Sequence, residues 1–152
     1  MVVIVVATLT RLAILAHQSR AGTAPGLVAG RLAPCPDKPN CVSSEAGEDA
    51  AHRTEALNYT APITTPQAWR SFRRIVEQSG GVIGHADKRY LSATFRSPVF
   101  GFVDDLEARL DEPNRRIEIR SAARVGRSDF GANRARVAAI TRRFEEQKRT
   151  AD

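Results

Sequence analysis

The chain has 152 residues, 42% hydrophobic and 26% charged, with a net charge of +6 and a sequence pI of about 10.1. These totals exclude a disordered or fibrous chain and leave room for one domain with a real core. The positive charge is almost all arginine, since only Lys38, Lys88 and Lys148 are lysines; arginine suits phosphate and carboxylate, but so small an excess, spread along a chain, identifies no partner.

Residues 1–16 read MVVIVVATLTRLAILA, apolar apart from Thr8, Thr10 and Arg11. The run is short for a bilayer span, which takes about 20 apolar residues. Arg11 is costly inside it, and the basic n-region of a signal peptide is missing. A packed helix has no use for valine and isoleucine on every face. The segment therefore reads as membrane-associated: an anchor, a leader, or an anchor whose start lies upstream of Met1, with a buried amphipathic helix as the alternative. Residues 17–32 read as a linker broken by Gly22, Pro25, Gly26 and Gly30. Residues 33–148 read as a single α+β domain and 149–152 as a tail.

Pro34 to Ser44, PCPDKPNCVSS, holds the only cysteines, Cys35 and Cys41, on a proline-stiffened loop. They could be a redox pair, half a metal site, free thiols or a local disulfide. No C-x-x-C and no nearby histidine completes a metal set, and the export-like N-terminus favours the disulfide. In the polar stretch that follows, Leu57 and Tyr59 suit a short edge strand, and His52 is expected in solvent. Asn58-Tyr59-Thr60 fits a glycosylation sequon, a pattern without meaning in a bacterial chain.

Thr65 to Ser79 is the clearest helix. Thr65 suits the N-cap and Pro66 the first turn, Trp69, Phe72, Ile75 and Val76 form one stripe, and Gly80-Gly81 stops it. Strands follow. Gly81 to His85 begins one. Tyr90 to Arg96 alternates with Leu91, Ala93 and Phe95 on one face. Phe100 to Leu110 places Leu106, Ala108 and Leu110 inward and Asp105, Glu107 and Arg109 outward. A turn at Asp111 to Asn114 returns the chain through Arg116 to Ser121, with Ile117 and Ile119 inward. Ala132 to Lys148 is the last helix, with a stripe of Val137, Ile140 and Phe144. The predicted fold class is α+β: an antiparallel meander with a helix before it and a C-terminal helix packed on it, behind an N-terminal hydrophobic segment.

Two clusters could carry chemistry. In Asp104-Asp105-x-Glu107, Asp105 and Glu107 share a strand face about 7 Å apart, close enough for a cation or an acid–base pair. The same residues would equally form a cross-strand ion-pair grid with Arg116, Glu118 and Arg120. Asp104 points to the core-like face, where an acid needs a partner; Arg124, or the backbone of the turn it opens, is the candidate. The basic cluster is Arg120, Arg124, Arg127, Arg134 and Arg136. Together with Ser121, Asp129 and Asn133 it is a candidate anion site, helped by N–H groups opening the last helix. Read structurally, the carboxylates neutralise it, and Asp129, Ser128 or Asn133 caps that helix. No catalytic residue, metal ligand or cofactor is assigned, because no nucleophile elbow, P-loop or dinucleotide fingerprint is present. Nucleic acid is not expected, since aromatics do not interleave with the basic residues.

Several ordered pieces remain: Gly30-Arg31-Leu32-Ala33-Pro34-Cys35-Pro36, Pro39-Asn40-Cys41-Val42-Ser43-Ser44, Arg96-Ser97, Phe100-Gly101-Phe102-Val103-Asp104-Asp105-Leu106-Glu107, Ile119-Arg120-Ser121-Ala122, Arg124-Val125-Gly126, Ser128-Asp129 and Gly131-Ala132-Asn133-Arg134. Through them the chain, roughly Gly30 to Phe144, resembles the domain of unknown function 1499 family. Ala123, Arg127 and Phe130 stand where that pattern leads one to expect serine, tyrosine and leucine, so Arg127 is a weaker choice for a fixed role. The resemblance implies no activity. It implies a small exported or membrane-attached domain, often behind an N-terminal hydrophobic segment.

The expectation is thus a membrane-anchored or periplasmic envelope domain, reaching the membrane through its N-terminal segment. It would bind an anionic small molecule, a lipid headgroup or a protein partner without catalysis. The alternatives are a hydrolase-like or metal-dependent enzyme using Asp104, Asp105 and Glu107, and a structural subunit of a membrane complex, signalled by an exposed apolar patch.

Overall fold

Period-two alternation in the middle of the chain builds the sheet on which everything else rests. The computed structural model describes residues 1–150. Its elements are α1 (Val2–Ala21), β1 (Leu27–Val28), β2 (Arg31–Leu32), β3 (Cys41–Ser43), β4 (Leu57–Asn58), α2 (Thr65–Gln78), β5 (Val82–Ala86), β6 (Tyr90–Arg96), β7 (Val103–Asp111), β8 (Arg116–Ala123) and α3 (Ala132–Thr150). The six-stranded sheet runs β3-β8-β7-β6-β5, with β4 also pairing β8, and every pairing is antiparallel. The chain is α+β, as its periodicity predicts. α3 reaches Thr150, and the rest of the expected tail lies outside the described residues.

The apolar face of the sheet carries Leu91, Ala93, Phe95, Leu106, Ala108, Leu110, Ile117 and Ile119. These pack with Ala68, Phe72, Ile75 and Val76 of α2 and with Val137, Ile140 and Phe144 of α3 in one core. Each large side chain buried there contributes roughly 1.5–3 kcal/mol. Trp69 sits at the edge of this core, stacked on Phe72 and donating its indole N–H to the Asp87 carbonyl. The N-cap of α2 is Thr64, one residue before the expected Thr65, because Gln67 lies at the right spacing to close a capping box with it. At the other end Gly80 takes φ +89°, and a Cβ on Gly81 would lie 2.8 Å from both Val76 and Phe95. Both glycines are needed for the chain to leave α2 and enter β5.

The opposite face differs from its sequence reading. Asp105 and Glu107 point away from the core as alternation requires, yet they are buried, because the chain from Ala16 to Leu32, together with Glu45, lies above them. α1 runs past Ala16 to Ala21, and the expected linker holds the β1–β2 hairpin. Among the described residues no helix is long and apolar enough to cross a membrane, so the transmembrane helix allowed by the sequence is not found.

Candidate functional site

The outward residues of β7 and β8 meet as charges. Glu107 and Arg120 are register partners, and their side chains pair at 3.0 Å. Glu107 also accepts from the Tyr90 hydroxyl at 2.7 Å and from the Gly26 N–H at 2.9 Å. Burial and this contact with Glu107 push the Tyr90 phenol well above its ordinary range. Asp105 takes a bidentate grip from Arg124, with Nε at 2.8 Å and Nη2 at 2.7 Å, while Arg124 Nη1 donates to the Ser19 carbonyl at 3.0 Å. The Asp105 carboxylate in turn raises the Arg124 guanidinium.

Farther along the same face Glu45 receives Arg109 at 2.8 Å, Arg31 at 3.0 Å and the Leu32 N–H at 3.1 Å. Burial works to raise the Glu45 carboxyl, but these donors outweigh it and hold it below its ordinary value. Glu118 accepts from Ser44 at 2.5 Å and pairs with Arg116 at 2.7 Å; there burial prevails and lifts the carboxyl. The grid expected from the sequence exists, with its carboxylates buried beneath the N-terminal segment while Arg31 and Arg116 reach water at its edge.

On the core-facing side a second set joins the sheet to α3. Asp104 pairs with Arg136 at 2.9 Å, not with Arg124 as the sequence reading expected. Alternation places Arg124 on the Asp105 face, whereas Asp104 lies where α3 packs. Burial pushes the Asp104 carboxyl up while Arg136 pulls it down. Arg136 also donates to Ser121 at 3.0 Å and lies 4.5 Å over the Phe95 ring. Ser121 donates to Asn133 at 2.6 Å, and Asn133 reaches the Asn40 carbonyl at 3.2 Å and Asp129 at 2.8 Å. Asp129 accepts the Asn133 N–H at 2.7 Å, which makes it the N-terminal cap of α3. Arg134 stands apart, donating to the carbonyls of Arg53 and Ala51.

The nine candidate residues therefore divide. Asp105, Glu107, Arg120 and Arg124 lock one face, Asp104, Ser121, Asp129 and Asn133 lock the other with Arg136, and Arg134 ties α3 to the loop before β4. Asp104, Asp105 and Glu107 are each held by a guanidinium, and no group of three His, Cys, Asp or Glu residues among the described ones is placed to hold a metal ion. In the loop before β3, Cys35 and Cys41 form a disulfide with S–S 2.03 Å. His52, expected in solvent, is buried against that loop, with Nδ1 3.0 Å from Asp49 and Nε2 2.9 Å from the Lys38 carbonyl. The Lys38 carbonyl, and then the Asp49 carboxylate, raise its pKa against the opposing effect of burial.

Open cations lie elsewhere. Between α2 and α3 runs a groove of about 610 Å³, lined by Pro62, Ile63, Gln67, Ala68, Arg70, Ser71, Arg74, Phe144, Gln147 and Lys148. It has three basic side chains and no acidic one. Arg70 and Arg74 are exposed and make no hydrogen bond or ion pair to any described residue. Lys148 donates to the Asn58 carbonyl at 2.8 Å and pairs with Glu145 at 2.7 Å. The sequence signal for this groove was an arginine pair one helical turn apart on the polar side of α2, which reads as ordinary solvated surface.

A family model described as "Protein of unknown function (DUF1499)" matches residues 31–144. That span begins with β2 and ends inside α3, so it takes in both ion-paired sets and the groove apart from Gln147 and Lys148. No curated protein and no solved structure matches the chain.

Proposed function

The chain belongs to the DUF1499 family, whose function is unknown, and we propose that it is a non-enzymatic envelope domain that binds an anionic amphiphile in the α2–α3 groove. One observation carries this reading: Arg70 and Arg74 are unpaired, one turn apart on α2, above a groove whose floor includes Ile63, Ala68 and Phe144. Like charges at this spacing destabilise a helix by a few tenths of a kcal/mol, and an anion between them removes that repulsion. Guanidinium pairs grip phosphate or carboxylate through forked donors. The apolar floor suits a ligand with a hydrocarbon portion beside its charge. The Cys35–Cys41 disulfide supports an oxidising, extracytoplasmic compartment. The enzyme alternative has less support, because Asp104, Asp105 and Glu107 are each already bound to an arginine.

Titration calorimetry with octyl phosphate, and with inorganic phosphate as its headgroup alone, tests the proposal. Octyl phosphate is expected to bind more tightly than phosphate. Each of Arg70→Ala and Arg74→Ala is expected to weaken it by about tenfold or more, the loss of one charge-assisted contact. Absent binding, or binding that survives the double substitution in a folded protein, overturns the assignment.

A further inference from the structure

The geometry points to a second surface, independent of the groove: we propose that the end of the sheet where β6 turns into β7 docks on an anionic lipid bilayer. The register pairs Arg96 with Val103 and Asp104 with Ala123, so the β6–β7 turn and the exit of β8 lie at one end. The C-terminus of α1 is fastened to the same end. The Val103 N–H donates to Ser19 Oγ at 3.1 Å, Arg20 donates to the Phe100 carbonyl at 3.4 Å, and Arg124 holds the Ser19 carbonyl.

This end displays apolar side chains that nothing in the fold uses. Val99 is 81% exposed and Phe130 is 98% exposed. Phe130 also sits at φ +54°, a left-handed conformation that an aromatic residue adopts only at a cost. From the same end extends α1, with Ile4, Val5, Val6, Leu9 and Ile14 all exposed. A partner protein would cover one stripe of a helix, whereas these exposed apolar side chains are distributed around α1, with Arg11 the one exposed charge among them, the pattern of a helix lying in hydrocarbon and its interface. The apolar stretch from Met1 to Ala16 is about 24 Å long, a length that suits insertion into one leaflet and its interface.

Charge selects the lipid. Arg96 and Arg127 are exposed at this end and make no hydrogen bond or ion pair to any described residue. The acidic groups nearby are all engaged: Asp104 by Arg136, Asp105 by Arg124, and Asp129 by the start of α3. An apolar tip rimmed by unpaired arginines with no free carboxylate matches a negatively charged headgroup layer.

The test uses the full chain and a reporter at the tip. In a Trp69→Phe background, Phe130→Trp supplies the only indole. With vesicles containing phosphatidylglycerol, its emission is expected to shift to the blue and to be quenched by lipids brominated on their acyl chains. Arg96→Gln with Arg127→Gln is expected to weaken binding to these vesicles about thirtyfold, from roughly 1 kcal/mol per basic residue near an anionic surface. The same pair should leave binding to neutral phosphatidylcholine vesicles nearly unchanged. Failure of the chain to bind vesicles, as when a protein partner covers α1, overturns the proposal. So does vesicle binding that leaves the reporter unshifted and unquenched, because α1 would then be acting alone.

Discussion

On one face of the sheet Leu106 and Ile119 share a core with Phe72 and Ile140; on the other, Glu107 and Arg120, each one residue along the same strands, meet each other beneath the N-terminal segment. Both faces are dry. The apolar face is non-directional, so its strength is shared among many contacts that can adjust. The charged face is directional. Glu107 serves Arg120, Tyr90 and Gly26 at once, and each donor is taken out of water to reach it. Such a layer adds little net attraction, because desolvation offsets Coulomb energy, but it tolerates only one arrangement of the segment above it. The helices close the sheet, and the ion pairs fix where the N-terminal segment lies.

Single truncations probe this contrast most strongly. Glu107→Ala or Arg120→Ala leaves a buried charge without its partner and is expected to cost about 3–5 kcal/mol in chemical denaturation. Phe72→Ala opens a cavity on the other face and is expected to cost about as much. The faces should separate on repair. Phe72→Leu restores most of the stability, whereas Arg120→Leu, equally apolar and bulky, restores little because Glu107 stays unpaired. Equal recovery would show that the charged layer behaves as ordinary packing.

The Cys35–Cys41 disulfide comes next. It clamps the loop leading into β3, and removing it by Cys35→Ser with Cys41→Ser is expected to cost about 2 kcal/mol from loop-closure entropy. A smaller effect is pH-dependent. The folded pKa of His52 lies above its ordinary value of 6.5, so its stabilisation is complete below that pH and is lost as pH rises through the higher folded value. The stability difference between the natural chain and His52→Gln should therefore shrink between pH 6 and pH 8, read from urea midpoints. Parallel curves would remove His52 from the clamp. The smallest effect is expected on the surface: Arg73→Ala breaks an exposed pair with Glu77 and should change stability by about 0.3–0.5 kcal/mol.

Local patterns made most of the fold legible. The alternation of Tyr90 to Arg96 and the stripe of Phe72, Ile75 and Val76 each encode a burial direction within a few residues. The cross-strand partnership of Glu107 and Arg120 was also readable, because register follows from the short turn at Asp111 to Asn114. What alternation could not say is that the outward face is roofed. The roof comes from residues at least 60 positions earlier, through Gly26, Ser19 and Glu45. Nothing local marks these as partners of a strand. His52 was misplaced for the same reason, since its partners are a carbonyl and a carboxylate with no motif of their own. The unpaired Arg70 and Arg74 gave no signal because an empty cation and a solvated one have the same sequence.

The grip of Arg124 on the Ser19 carbonyl and of Glu107 on the Gly26 N–H has a practical consequence for cutting the molecule down. A fragment begun at Ala33, where composition suggests that the domain starts, would keep the sheet and both later helices. It would also expose Asp105 and Glu107 to water, take the Gly26 N–H away from Glu107 and leave Arg124 Nη1 without its Ser19 acceptor. Since Ala16 and Ser19 are themselves buried, the shortest soluble fragment expected to match the full chain in cooperativity begins ahead of Ala16.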